Sequence, residues 1–166
     1  KLVDVLLKAH QLAINGNALY FASFSDGNDE HTVFSPSGCM LKPDFKGDWE
    51  IDTLRAGVLG NAAVNMPRIA YECRGDKAKF FTLLRERLEM ATRALEIKFR
   101  MLKQRSVGFL FQTVNGDPYF RLENSARIVN LVGLKEAAEV LNGKSVYENE
   151  SSLRFALETM QFASDL

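Results

Sequence analysis

Reactive side chains are scarce in this chain. Its 166 residues include two cysteines, Cys39 and Cys73, two histidines and one tryptophan. Two cysteines do not make a disulfide framework, so a reducing, cytoplasmic setting is the simpler expectation. The soft ligands Cys39, Cys73, His10 and His31 form neither a C-x-x-C nor an H-x-x-x-H spacing. No metal site is therefore expected within the chain. A G-x-S-x-G elbow is absent, which removes the usual esterase signature. Gly57-Val58-Leu59-Gly60 lacks both the glycine spacing and the lysine of phosphate-binding loops. An excess of one charge is also missing: 21 basic residues balance 21 acidic ones. Bulk electrostatics thus gives no lead toward nucleic acid. No apolar run reaches membrane-spanning length, and no secretory signal opens the chain. The first residue is Lys1 rather than Met, and the expectation is an interior piece of a longer protein.

What is present is an ordinary globular composition, 46% hydrophobic and 25% charged. That length and composition support one domain with a core, or a large part of one. Leu2, Val5, Leu6, Ala9 and Ala13 recur at helical spacing, and Asn15-Gly16-Asn17 stops the helix. Ala18–Phe24 and His31–Phe34 read as a strand pair joined by a Ser-Asp-Gly-Asn-Asp turn. Leu54–Ile69 reads as an extended, glycine-interrupted run. The clearest element is 76–102. Phe80, Leu84, Leu88, Ala91, Leu95, Phe99 and Leu102 form one apolar helical stripe, with Asp76 as N-cap. Phe109–Val114 and Ala126–Val132 read as strands, the second of them buried. Helices are expected over Gly133–Leu141 and Ser151–Ala163, the latter burying Leu153, Leu157 and Met160. Interspersed strands and helices give the class α/β.

Cys39 stands apart from this background. Ser35-Pro36-Ser37-Gly38 breaks any strand just before it, because proline donates no ladder hydrogen bond and glycine admits unusual backbone angles. A cysteine in a loop between two strands is a candidate reactive thiol. Cys73, by contrast, reads as a small hydrophobe of a core.

Several segments together resemble a known family. Ser37-Gly38-Cys39-Met40, a polar spacer, and then Gly57 through Asn65-Met66-Pro67-Arg68-Ile69-Ala70 are similar to the active-site segment of class III, anaerobic ribonucleoside-triphosphate reductases. The family pattern is a Gly-Cys pair, a spacer and a glycine-containing strand ending in Asn-Leu-Pro-Arg-Ile. Met66 replaces the leucine, a near-isosteric swap. Residues 76–98, Pro118–Leu122 and Val132–Glu136 resemble later segments, so the likeness covers most of the chain.

The resemblance implies a glycyl radical enzyme: residues 1–166 as a single segment of a ten-stranded α/β barrel, with Cys39 at the tip of a finger loop. It implies that Cys39 carries a thiyl radical that takes hydrogen from the ribose 3′ carbon of a ribonucleoside triphosphate. Gly38, Met40 and Val58 would then lie against substrate. It further implies a glycyl radical, a structural zinc and an ATP cone with ATP or dNTP effectors, all on segments outside this chain. The implied partners are an iron–sulfur radical-SAM activating enzyme and a second copy of the full-length chain. Neither a membrane nor nucleic acid is among them. Formate-using members carry asparagine where the Pro-Arg alignment puts Val58. A thioredoxin-like reductant is therefore expected here. Two alternatives remain open: a lyase of the pyruvate formate-lyase type, whose relatives place two adjacent cysteines at the loop tip, and a non-catalytic interaction domain.

Overall fold

Asp76 starts the longest element of the protein. In the structure, a computed structural model describing residues 2–16, 19, 32–35, 39–41, 53–105, 113–114 and 116–166, its carboxylate accepts the Lys79 amide N–H at 3.1 Å. That cap satisfies one of the donors a helix leaves unpaired at its start. Before this helix come α1 (Leu2–Ile14), the short strands β1 (Val33–Phe34) and β2 (Met40–Leu41), β3 (Val58–Asn65) and α2 (Met66–Cys73). The capped helix is α3 (Lys77–Gln104). After it come β4 (Thr113–Val114), β5 (Asp117–Pro118), β6 (Ala126–Val132), α4 (Leu134–Asn142) and α5 (Glu150–Ser164).

The organising unit is a β–α–β crossover. β3 and β6 pair in parallel, with Asn61 opposite Ile128 and Val64 opposite Leu131. α2 and α3 lie between them in the chain, and α3 packs on the sheet. Parallel neighbours need such a crossover because no tight turn joins them. The core fills the space between the helices and one sheet face. Val64, Met66, Ile69, Ala70 and Cys73 meet Phe80, Leu84 and Leu88, with Ala137, Ala138 and Phe155 closing the other side. Phe80 is fully buried and meets Phe155 edge-on at 5.0 Å between ring centroids. The Cys73 thiol donates to the Ala70 carbonyl at 3.1 Å inside this cluster, which agrees with its reading as a core residue.

The mixed helix and sheet content agrees with the α/β expectation. The boundaries of β6 coincide with those read from the sequence. Three expectations are corrected. The extended run over Leu54–Ile69 is a strand only over Val58–Asn65, and a helix begins at Met66. The reason is local: Asn65 caps that helix by accepting the Arg68 amide N–H at 3.0 Å, and Pro67 falls in its first turn, where no amide donor is missed. Second, β6 is half-buried rather than buried, because among the described residues helices cover only one face of its sheet. Third, α5 turns a different side inward. Ser152, Phe155, Ala156 and Thr159 are its buried residues. Leu153, Leu157 and Met160 are 46%, 62% and 52% exposed. The Phe155 ring sets this rotation against Phe80. The two buried hydroxyls are satisfied locally, Ser152 by the Lys144 carbonyl at 2.8 Å and Thr159 by the Phe155 carbonyl at 2.7 Å. α1 forms over Leu2–Ile14 as expected, and none of its residues is buried. The expected strand Ala18–Phe24, His31 and most of Phe109–Val114 lie outside the described residues.

Candidate active site

Cys39 sits in the connection between two paired strands. Val33 faces Leu41 and Phe34 faces Met40 across the antiparallel pair. The Ser35 amide N–H donates to the Cys39 carbonyl at 2.8 Å, closing the turn. The cysteine is half-buried and free, and its sulfur lies 3.9 Å from the Met40 carbonyl oxygen. Cys39 thus directly precedes β2, with its carbonyl bonded back to the residue that follows β1. Met40 is exposed on β2. Gly38 lies outside the described residues.

Val58, the last of the candidate residues, opens β3. Its position follows from an irregularity. Val58 pairs with Ala126, and the next pair is Gly60 with Arg127, so Leu59 is an extra residue on the β3 side. A bulge of this kind reverses which face the preceding side chain takes. Gly60 and Arg127 belong to the α3 face. A Cβ on Gly60 would meet Leu95 Cδ2 at 2.9 Å, and the Arg127 guanidinium pairs with Glu96 of α3 at 2.6 Å. Val58 consequently falls on the opposite face, with Asn61 and Ala63 of β3 and Ile128, Asn130 and Val132 of β6. Asn61, Ala63 and Val132 are exposed there. No described hydrogen bond or ion pair joins Val58 to Cys39. The missing side chain of Gly60 makes room for α3.

The open face carries a feature that the sequence reading missed. The Asn130 side-chain amide donates to the Asn61 carbonyl oxygen at 3.0 Å, bridging the two strands. The two residues are 69 positions apart, and only the register of β3 on β6 brings them together. The signal available in the sequence was an asparagine inside each of two otherwise apolar or small-residue runs, where asparagine is a poor strand former.

Two motifs singled out in the sequence meet at the end of the strands. Asn65 pairs with Val132, and the next residue on each chain, Met66 and Gly133, turns into a helix. Gly133 has φ of 78°, and a Cβ there would lie 2.6 Å from the Pro67 ring. Only glycine accommodates both the left-handed backbone and that approach. Below β3, the Arg55 guanidinium donates to the carbonyls of Pro118 and Tyr119 at 2.6 and 2.8 Å, holding the Pro118–Leu122 segment against the start of the strand.

Beside the strand end lies a cleft of about 440 Å³ lined by Ala63, Asn65, Arg68, Arg87, Met90 and Ala94, among others. Glu72 bridges its two arginines, at 2.9 Å to Arg68 and 3.5 Å to Arg87. The hydrogen bond from Arg68 draws the Glu72 carboxyl below its ordinary range, against a smaller opposing effect of desolvation. Among the described residues no group of His, Cys, Asp and Glu is arranged to hold a metal ion. No described helix is long and apolar enough to cross a membrane.

Comparison with known proteins agrees with these motifs. Residues 2–166 match the family model described as anaerobic ribonucleoside-triphosphate reductase. The chain is 32% identical over 135 residues to the anaerobic ribonucleoside-triphosphate reductase of Escherichia coli K12, a match covering 70% of this chain and 18% of that protein. It is 38% identical over 74 residues to the enzyme of the same name from Salmonella typhimurium LT2, covering 42% of this chain and 10% of the relative. The chain thus spans less than a fifth of the length of these curated relatives. It belongs to the anaerobic ribonucleoside-triphosphate reductase family.

Proposed function

We propose that this segment forms part of the catalytic barrel of an enzyme that reduces ribonucleoside triphosphates to deoxyribonucleotides without oxygen. In this reading Cys39 is the hydrogen-atom carrier. The observation that supports it is a free cysteine lying between the paired strands β1 and β2 in a chain that matches the family over residues 2–166.

The chemistry asks little of polar neighbours and much of position. A glycyl radical on a segment outside this chain would supply the acceptor for one hydrogen atom. Cys39 gives up its S–H hydrogen and becomes a thiyl radical. The thiyl then takes the hydrogen atom from the ribose 3′ carbon and re-forms S–H. The 2′ hydroxyl then leaves as water, a reductant supplies a net two electrons and two protons, and Cys39 returns its hydrogen atom to the 3′ carbon, which re-forms that C–H bond and regenerates the thiyl radical. Exchange between sulfur–hydrogen and activated carbon–hydrogen bonds is nearly balanced, so geometry and exclusion of water decide the outcome. A short hairpin whose carbonyl at Cys39 is tied to Ser35 fixes the thiol relative to its strands. Gly38 and Met40, the immediate neighbours of Cys39, would bound the space for the ribose.

The open face of β3 and β6 suits the wall of such a barrel. Helices cover the other side, as in barrels with an outer helical ring, and Val58, Ala63, Ile128 and Val132 offer few groups to quench a radical. Val58 also gives formate no hydrogen bond, which supports a thioredoxin-like dithiol as the electron source. The zinc, the effector nucleotides, the activating enzyme and the homodimer belong in this reading to the remainder of the protein.

The test uses the full-length protein carrying this segment, activated anaerobically by its radical-generating partner. Cys39→Ser is expected to lose more than about 10³-fold in CTP reduction while keeping the parent's glycyl radical signal. Turnover by the variant at the parent's rate would overturn the assignment. A radical-bearing parent that reduces no nucleotide would favour a lyase-type enzyme.

A further inference from the structure

Neither the thiol chemistry nor the core uses the carboxamide pair on the open face. Asn130 spends one amide hydrogen on Asn61, and Asn61 spends one carbonyl lone pair on Asn130. Both amide hydrogens of Asn61 and the carbonyl oxygen of Asn130 stay uncommitted by that bond. The third asparagine on this face, Asn65, is already engaged in capping α2. The remaining side chains of the face, Val58, Ala63, Ala126, Ile128 and Val132, are small or apolar. A packed ring of apolar residues would make a better strand pair, because asparagine disfavours strands and a single exposed hydrogen bond returns little. The pair therefore has a poor structural rationale and a good recognition one. It presents donors and an acceptor side by side, held in register by two strands, and carries no charge.

Resting on the function proposed above, we propose that Asn61 and Asn130 are specificity contacts that hydrogen-bond the neutral part of the ribonucleotide, its hydroxyls or base edge, and not its phosphates. Phosphates call for cations or helix N-termini; no basic side chain shares this face of the sheet, and the N-termini of α2 and α4 lie past the strand ends, beyond Asn65 and Val132, rather than beside the pair. Two carboxamides match groups that both donate and accept.

The measurement is equilibrium binding to the full-length protein in its non-activated form, so that no radical is needed. The parent, Asn61→Ala and Asn130→Ala are each titrated with CTP, UTP, ATP, GTP, dCTP and inorganic tripolyphosphate. Each variant is expected to bind at least one ribonucleotide about tenfold more weakly and tripolyphosphate unchanged. Unchanged tripolyphosphate binding and unchanged amide exchange in α3 report that the variants are folded. If the loss is smaller for dCTP than for CTP, the pair reads the ribose. If it differs among the four bases, the pair reads the base edge, and both patterns sustain the proposal. Equal ribonucleotide affinities in the parent and both variants would overturn it, as would an equal loss for tripolyphosphate. A parent that binds no ribonucleotide at all would instead remove the proposed function, and this inference with it.

Discussion

The two faces of the β3–β6 sheet are built by opposite rules. Toward α3 the strands present Gly60, Ala62 and Val64 beside Arg127, Val129 and Leu131. All but Ala62, which lines the cleft beside α3, have a packing reason. Gly60 lies under Leu95, Val64, Val129 and Leu131 join the core, and Arg127 reaches Glu96 while its guanidinium stacks 5.0 Å over Phe99. The other face presents Val58, Asn61, Ala63, Ile128, Asn130 and Val132, with exposed residues on both strands and a carboxamide pair at its centre. Packing explains most of the first face and leaves the second without a partner among the described residues. The contrast separates residues chosen for stability from residues available for chemistry.

The most severe break expected on the packed side is Phe80→Ala. Phe80 is fully buried and touches both Phe81 and Phe155 edge-on. Its removal should cost about 3–5 kcal/mol. Amide hydrogen exchange in α3 of the full-length protein would report this as lost protection along the helix, and retained protection would show that the core lies elsewhere.

A matched pair of substitutions sharpens the contrast between the faces. Gly60→Val introduces side-chain atoms where Leu95 already stands at 2.9 Å, and overpacking of this kind costs about 1–3 kcal/mol. Ala63→Val, three residues along on the exposed face, should change stability by no more than about 0.5 kcal/mol. The same Ala63→Val is expected to raise KM for the nucleotide if the open face lines the substrate space. Equal stability losses at the two positions would show that the faces are not distinct.

How much of this was legible in the sequence follows the same division. α3 was readable because its apolar stripe runs unbroken behind a capping aspartate, and Phe80, Leu84, Leu88 and Leu95 are the residues buried. β6 was readable from its β-branched run. α2 was not, because a proline after two glycines suggests an extended chain unless the cap at Asn65 is recognised. The buried side of α5 was misread because Leu153, Leu157 and Met160 make as good a stripe as Phe155, Ala156 and their small polar neighbours. Only the tertiary partner Phe80 decides between them. The Asn61–Asn130 pair and the face of Val58 depend on strand register and a bulge, which no local pattern encodes. The position of Cys39 between two strands, conversely, is local: it directly precedes β2, and its carbonyl accepts the Ser35 amide N–H.

The smallest expected effect concerns the edge between the faces, where Glu72 joins Arg68 and Arg87 beside the cleft. The Arg68 hydrogen bond, reinforced by the charges of both arginines, lowers the folded carboxyl below its ordinary value of 4.5. A carboxyl with a lowered folded value contributes stability that is fully present above the unfolded value and fades as pH falls through the folded one. Glu72→Gln should therefore be slightly less stable than the parent at neutral pH, and the difference should close on acidification below about 4.5. The effect is small because Arg68 is 75% exposed, and water and salt screen such pairs. Paired urea titrations across the acid range would show convergence of the two proteins. A difference that persists undiminished at low pH would mean that Glu72 acts through packing of its stem rather than through its charge.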